Sequence, residues 1–556
     1  MRDSYPKLAT LPQSRLAETA MQPDYEDVHC PEVTGSSNIG DLIADAHVRA
    51  GHGDAIAVIH AETGRSLTFA ELAERSTRLA HALVALGLAQ GERVAYKASN
   101  VPDVLVVMLA IWKAGGVVLP IPVNARAGEL AHFLEDGAPR YLFVNGAAGF
   151  SDELSRVVAD AGVERVFAID DDSKGLDVPH ARELEASGGD RPLPVISADQ
   201  VAIIWHTGGT TGRPKACYHT HRRFLLGGYM FAKGAGTAPG QCWAAAAPIG
   251  HALGIIYNTI FTLLHGATAV LIEGFHDAGV VLRAIARHRI TTLTALTATW
   301  ANMADAVRAD DSYDLASLSR CYAMWQSASS ASVFFFWRQR DVELLNNFGS
   351  TSFATWVLIP DIVGQSPRAS LGKALPGYRV EAVTVEDRTV RILPRGEIGR
   401  MAVRGPTGLT YWNLPELQER DVVAGWTLCD DLIRFDETGN AHYMGRSDYM
   451  ISTAGFKVAP VEVEQILARH PAVREVAVVP APDAIRQEIV TAFVSLVAGA
   501  IGDSVLETQL QDLVARELSS YKAPRHIYFI DGLPRDALGK VQTKIVRQWA
   551  VERSSE

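Results

Sequence analysis

The chain has 556 residues, of which 48% are hydrophobic and 21% charged, with 46 glycines and 26 prolines. That length exceeds what one hydrophobic core ordinarily supports, so two or more domains are expected, and the composition excludes fibrous and low-complexity classes. A formal net charge of -11 argues against a nucleic-acid partner bound by broad neutralisation of phosphates, leaving room only for a local basic pocket.

The N-terminal stretch MRDSYPKLATLPQSR lacks the apolar core of a signal peptide. The most apolar run, Val104 to Trp112, is stopped by Lys113 well short of a membrane span. Cys30, Cys217, Cys242, Cys321 and Cys429 form no CxxC pair, which argues against both a zinc knuckle and a disulfide framework and fits reduced thiols in the cytoplasm.

From Asn100 the pattern alternates between helix and strand. Asn100 is placed to cap a helix whose first turn carries Pro102 and Asp103, with Gly115 and Gly116 closing it. Short β-rich runs follow at Val117 to Val123, Arg140 to Val144, Arg165 to Ile169, Val201 to Trp205 and Ala267 to Ile272. The segments between them are long enough for helices, which predicts a layered α/β architecture with much parallel pairing. SGGDRPLP, from Ser187 to Pro194, reads as a surface linker, and no repeat of fixed period is visible.

After the linker and the run Val201 to Trp205 come the residues HTGGTTGRPK, His206 to Lys215. Glycines let successive backbone N–H groups turn toward one point, while threonine hydroxyls and a lysine ammonium add donors, so the loop suits a polyphosphate. It is not a Walker A loop, because Arg213 and Pro214 separate Gly212 from Lys215. A plain glycine-rich turn is the other reading of the same ten residues.

Beyond about residue 445 the character changes to small α+β units. A helix is expected from near Val461, strands at Val473 to Val479 and Ile489 to Val497, and a helix over Leu506 to Leu518. The boundary is drawn at Arg446 to Asp448, giving a large layered domain over 1–446, itself of several subdomains, and a small mobile α+β domain over 447–556. Its last loop, LPRDALGKVQTK, carries Lys540, which taken alone reads as a solvated surface charge.

In order, these pieces resemble the signature motifs of the adenylate-forming superfamily: acyl- and aryl-CoA synthetases, adenylation domains of peptide synthetases, and luciferases. HTGGTTGRPKA resembles the phosphate loop, PIGHALG (Pro248 to Gly254) the acyl-substrate motif, and NNFGSTS (Asn346 to Ser352) the adenine and metal motif. GWTLCDD (Gly425 to Asp431) resembles the ribose motif, MGRSDYMISTAGFKVAPVEVE (Met444 to Glu464) the hinge, and LPRDALGK the catalytic-lysine loop. Six motifs in order over most of the chain make chance implausible.

The resemblance implies that a carboxylate attacks the ATP α-phosphate, releasing pyrophosphate and leaving an acyl-adenylate. It implies phosphate contacts from Thr207, Gly208, Gly209, Thr210, Thr211, Gly212 and Lys215, and adenine contacts from Asn347 and Phe348 with their neighbours Gly349 and Thr351. It further implies ribose contacts from Asp431 and Arg446, a hinge at Asp448 and a catalytic Lys540. His251 matches a position packed on the acyl substrate, and Trp205, Trp325 and Phe224 are candidates to line an apolar pocket with it. Each has a plainer reading: a turn aspartate, a surface ion pair, a core histidine or a core aromatic.

The chain departs from the resembled pattern at Ser352, where a glutamate is usual, at Gly208, at Cys429-Asp430 and at Tyr449. Without that carboxylate, Mg2+ is expected to ride mainly on ATP with Thr211 and water; a substitute carboxylate and crippled adenylation are the alternatives.

The function expected is a stand-alone CoA ligase for a hydrophobic, aromatic carboxylic acid, closest to benzoate- and 2-aminobenzoate-type ligases. Transfer to a carrier-protein thiol or an amine is the alternative, with any carrier acting in trans. A nucleotide-binding regulatory protein that has lost turnover is a third. The oligomeric state is left open, a homodimer included.

Overall fold

Every residue of helix Pro102–Lys113 is buried, with proline at its first position, Asp103 in its first turn and Gly115 at φ +80° just beyond its end. It packs against strands of both large sheets, so the longest apolar run in the sequence becomes the seam of the core rather than a surface helix. Its two charged residues are compensated. Asp103 is paired with Arg65 at 2.7 Å and Arg75 at 2.8 Å, and Lys113 with Asp45 at 2.5 Å.

The computed structural model describes residues 30, 32–35, 37–146, 152–169, 178–187, 189, 191–207, 214–324, 331–360, 370–453, 456–483, 485–535 and 541–554. Among them lie two mainly parallel sheets. The six-stranded one runs Arg165–Ala168, Tyr141–Val144, Arg93–Lys97, Val117–Ile121, Val201–Thr207, Lys215–Thr220, the last strand antiparallel to its neighbour. The seven-stranded one runs Glu343–Asn346, Arg320–Met324, Thr292–Leu296, Cys242–Ala245, Thr268–Leu271, Ile56–His60, Ser66–Thr68. Central strands such as Tyr141–Val144 and Val117–Ile121 are buried at every position, as expected where both faces are covered.

Two antiparallel sheets complete the large domain. One is the three-stranded unit Phe348–Ser350, Thr355–Ile359, Lys373–Ala374; the other is a six-stranded sheet over 379–446. The second, an alternating in-and-out pattern beyond the parallel layers, is not part of the α/β expectation. The smaller C-terminal domain is a five-stranded sheet with helices Pro460–Leu467, Ser504–Glu517 and Thr543–Ser554. Strand Ala441–Arg446 pairs with Trp426–Phe435, whereas Ile451–Thr453 joins the C-terminal sheet, and the short 3-10 turn Ser447–Tyr449 lies between.

Most expected strands form within two residues of their expected limits. One expectation is corrected: Asn100 does not cap helix Pro102–Lys113, whose N-cap is Val101 with no side-chain cap. The Asn100 amide is committed elsewhere, donating to the carbonyls of Ala247 (3.0 Å) and Ile272 (2.8 Å) and accepting from Ile249 N (2.7 Å).

Candidate active site

Strand Val201–Thr207 continues two residues beyond the expected run, and Thr207 stands directly opposite Lys215 at the start of the next strand. The glycine loop is therefore the connection of an antiparallel hairpin, which agrees with its not opening a helix. Thr207 Oγ1 donates to the Lys215 carbonyl at 3.2 Å and ties the two ends of the loop together. Gly208, Gly209, Thr210, Thr211 and Gly212 lie outside the described residues.

Behind the hairpin, the segment Asn346–Ser352 is fastened to it through one carbonyl. Thr351 O accepts from Trp205 Nε1 at 3.1 Å and from His219 Nε2 at 3.0 Å. Trp205 is 2% exposed, edge-on to His219 and Phe224. It braces this segment from beneath, and Phe224 beside it is fully buried. Burial holds the His219 imidazole down to about 3, so it is neutral and donates through Nε2. Gly349 lacks a Cβ for a steric reason, since one there would come within 2.5 Å of Thr355 O and Trp356 Cε3. Asn347 is buried and Phe348 half-buried against the main core, while Ser352 is half-buried.

His251 stands at the N-terminal boundary of helix Ala252–Asn258 and is half-buried. The preceding turn is set by Asn100 and by Tyr96, whose hydroxyl donates to Ile249 O at 2.6 Å. Gly254 lets the helix close under that turn: a Cβ there would approach Pro248 O to 2.2 Å. Trp325 lies outside the described residues.

Asp431 and Arg446 oppose each other in the antiparallel pair Trp426–Phe435 and Ala441–Arg446. Tyr443 donates its hydroxyl to Asp431 Oδ1 at 3.1 Å, and burial together with that carboxylate drives the phenol well above its ordinary value. Arg446 Nη2 is 3.3 Å from Asp430 Oδ2, with the guanidinium 5.9 Å from the Tyr449 ring centre, and Arg400 holds the other side of Asp430 at 3.1 Å. Cys429, in the departure from the usual motif, is a thiol held well up by burial and by Asp431. The backbone at Asp448 belongs to the 3-10 turn, but its side chain and all of Lys540 lie outside the described residues.

The family model described as AMP-binding enzyme matches residues 45–412, and that described as AMP-binding enzyme C-terminal domain matches 462–540. The chain belongs to the AMP-binding enzyme family. It is similar to a 3-hydroxybenzoate--CoA ligase of Aromatoleum sp. (strain CIB), at 28% identity over 534 residues covering 92% of this chain and 97% of the relative. It is also similar to a feruloyl-CoA synthase of Amycolatopsis sp., at 30% identity over 489 residues covering 87% and 94%. In fold it is similar to the crystal structure of the anthranilate CoA ligase AuaEII in complex with anthranoyl-AMP, with TM-score 0.85 and 24% identity over 95% of this chain and 100% of that one. This AMP-binding enzyme has the large N-terminal and small C-terminal domains of the fold it shares with that structure.

Among its described residues no helix is long and apolar enough to cross a membrane. Several side chains that hold the candidate site residues were not singled out in the sequence. His219, Tyr443 and Arg400 act by holding Thr351, Asp431 and Asp430. None lies in a motif, and each reaches its partner only through strand pairing or packing.

Proposed function

We propose that this enzyme activates a hydrophobic, aromatic carboxylic acid with ATP and transfers it to the thiol of CoA. In the first half-reaction an acid carboxylate oxygen bonds to the ATP α-phosphorus as pyrophosphate leaves, giving an acyl-adenylate. In the second, the thiol sulfur attacks the acyl carbonyl, AMP departs with the bonding electrons, and the thiol gives up its proton. The observation that carries the ATP reading is the shared anchor at Thr351 O, through which the hairpin ending at Thr207 and Lys215 and the segment bearing Asn347 and Phe348 are held as one unit. The aromatic class rests on the similarity to ligases named for 3-hydroxybenzoate and ferulate.

In this reading Thr207, Lys215 and the loop 208–212 bind the β- and γ-phosphates through backbone and side-chain donors. Asn347 and Phe348 flank adenine, while Asp431 accepts from the ribose hydroxyls, oriented by Tyr443. Arg446, braced by Asp430, adds positive charge near the ribose and phosphates. Lys540 donates to the carboxylate and α-phosphate oxygens as charge accumulates there. Domain 447–556 rotates about Asp448 to withdraw that lysine and admit the thiol, and His251 packs on the acid.

Ser352 contributes a neutral hydroxyl, which does not fit an anionic metal ligand, so Mg2+ offsetting phosphate charge is assigned to ATP oxygens, Thr211 and water. Aromatic and aliphatic acids offered with ATP, Mg2+ and CoA, with products separated by mass, test the reading. Aryl-CoA is expected. Acylation only of a supplied carrier protein or amine would replace the acceptor, and silence with every aromatic acid would overturn the substrate class.

A further inference from the structure

A second set of ligand-type side chains meets at the foot of the hairpin. His132 and Asp136 lie one turn apart on helix Ala127–Gly137, and His206 precedes Thr207 on its strand. Each offers one ligand atom, and the three atoms fall within 4.8 Å of one another. Asp136 Oδ2 is 3.2 Å from His206 Nε2 and 3.6 Å from His132 Nε2.

The two spacings from Asp136 are close to those around a tetrahedral metal ion. Four ligands at roughly 2.0–2.1 Å around a tetrahedral ion stand about 3.3–3.4 Å apart, between the two distances observed. Two imidazoles with one carboxylate suit zinc and poorly suit magnesium, which favours oxygen alone. All three residues are partly buried. The histidine side chains are 14% and 4% exposed and that of Asp136 31%. The Phe133 ring lies 4.6 Å from that of His206, and the indole of Trp412 donates to Asp136 O at 3.2 Å, fixing the helix end.

We infer that His132, Asp136 and His206 form a binding site for a divalent transition-metal ion, Zn2+ being the match to this donor set. His132 Nε2 lies 2.8 Å from the Pro214 carbonyl, so the ion would sit against both ends of the segment 208–213, near His206 on one side and Pro214 on the other. Ligation through Nε2 requires each neutral ring to carry its single proton on Nδ1, so as the metal binds the Nε2 proton that His132 donates to the Pro214 carbonyl passes to solvent and Nδ1 takes one up. The ion bolts the helix to the hairpin and is separate from any Mg2+ carried by ATP.

The test uses the full chain, stripped of metal by chelator and without nucleotide, titrated with Co2+ as a coloured stand-in and then with Zn2+. Expected is one ion per chain, intense visible absorption of low-symmetry Co2+, and its displacement by Zn2+. His132→Gln, Asp136→Asn and His206→Gln should each weaken binding at least about tenfold, with far-UV circular dichroism checking the fold. Absence of saturable one-to-one binding to the wild-type protein would overturn the inference, as would binding unchanged in all three folded variants. No acid or ATP enters the measurement, so its failure leaves the proposed ligase activity untouched.

Discussion

Asp431 and Arg446 face each other across an antiparallel strand pair, and each is braced by a neighbour, Asp431 by the Tyr443 hydroxyl and Arg446 by Asp430. A carboxylate and a guanidinium are thereby presented from rigid backbone immediately before the 3-10 turn Ser447–Tyr449 that leads to the C-terminal sheet. The pairing puts the proposed ribose contacts and the turn leading to the C-terminal sheet in one local structure.

Asp431→Asn is expected to weaken ATP binding by about 10–100-fold, since hydrogen bonds to a charged group contribute roughly 1.5–3 kcal/mol. Calorimetric titration with ATP measures it. Tyr443→Phe, which removes only the brace, should cost less, and an unchanged affinity in Asp431→Asn would remove that residue from the site.

Lys540→Ala should reduce acid-dependent pyrophosphate release by at least about 100-fold, the scale seen when one donor to developing charge is removed, while ATP affinity stays within a few-fold. Adenylation at the wild-type rate would show that another group meets the α-phosphate.

Trp205→Phe leaves Thr351 O with His219 alone and shortens a buried side chain. A loss of about 1–3 kcal/mol in urea unfolding is expected, together with a raised KM for ATP as the 346–352 segment loosens. Stability reduced with KM unchanged would separate the brace from nucleotide binding.

Much of this was legible in the sequence, though unevenly. The apolar run Val104 to Trp112, the β-rich runs of the parallel sheets and the C-terminal elements carry their periodicity locally, so their elements form where expected. The hairpin partnership of Thr207 with Lys215 was hidden because it depends on strand register across a loop. Asn100 looked like a helix cap because capping is the local use of asparagine, yet its amide serves the turn at Ala247 and Ile249, far along the chain. An aromatic beside a ligand loop suits either pocket lining or core, and the packing of Trp205 against His219 and Phe224 could not be read from the sequence.

His219 and His221 are fully buried and each is held down to about 3 from an ordinary value of 6.5. Between those values the unfolded chain binds protons that the folded chain does not, so stability falls as pH drops from 6.5 toward 3 and is fully present above that window. His219→Gln, whose amide can still donate to Thr351 O, should flatten the pH dependence of unfolding relative to wild type. An identical slope would mean that His219 is not neutral in the folded protein.

Ser352→Glu supplies the missing carboxylate. The Mg2+ concentration giving half-maximal adenylation should fall several-fold if residue 352 faces the ion. An unchanged requirement would place the ion beyond its reach.

The central claim, that the chain couples ATP cleavage to carboxylate activation, is tested most directly by measuring pyrophosphate and AMP released by the purified protein across a panel of aromatic acids with ATP, Mg2+ and CoA. One pyrophosphate and one AMP per acyl-CoA formed, dependent on the acid, is the predicted result; ATP cleavage to ADP, or no acid-dependent release with any aromatic acid, would contradict it.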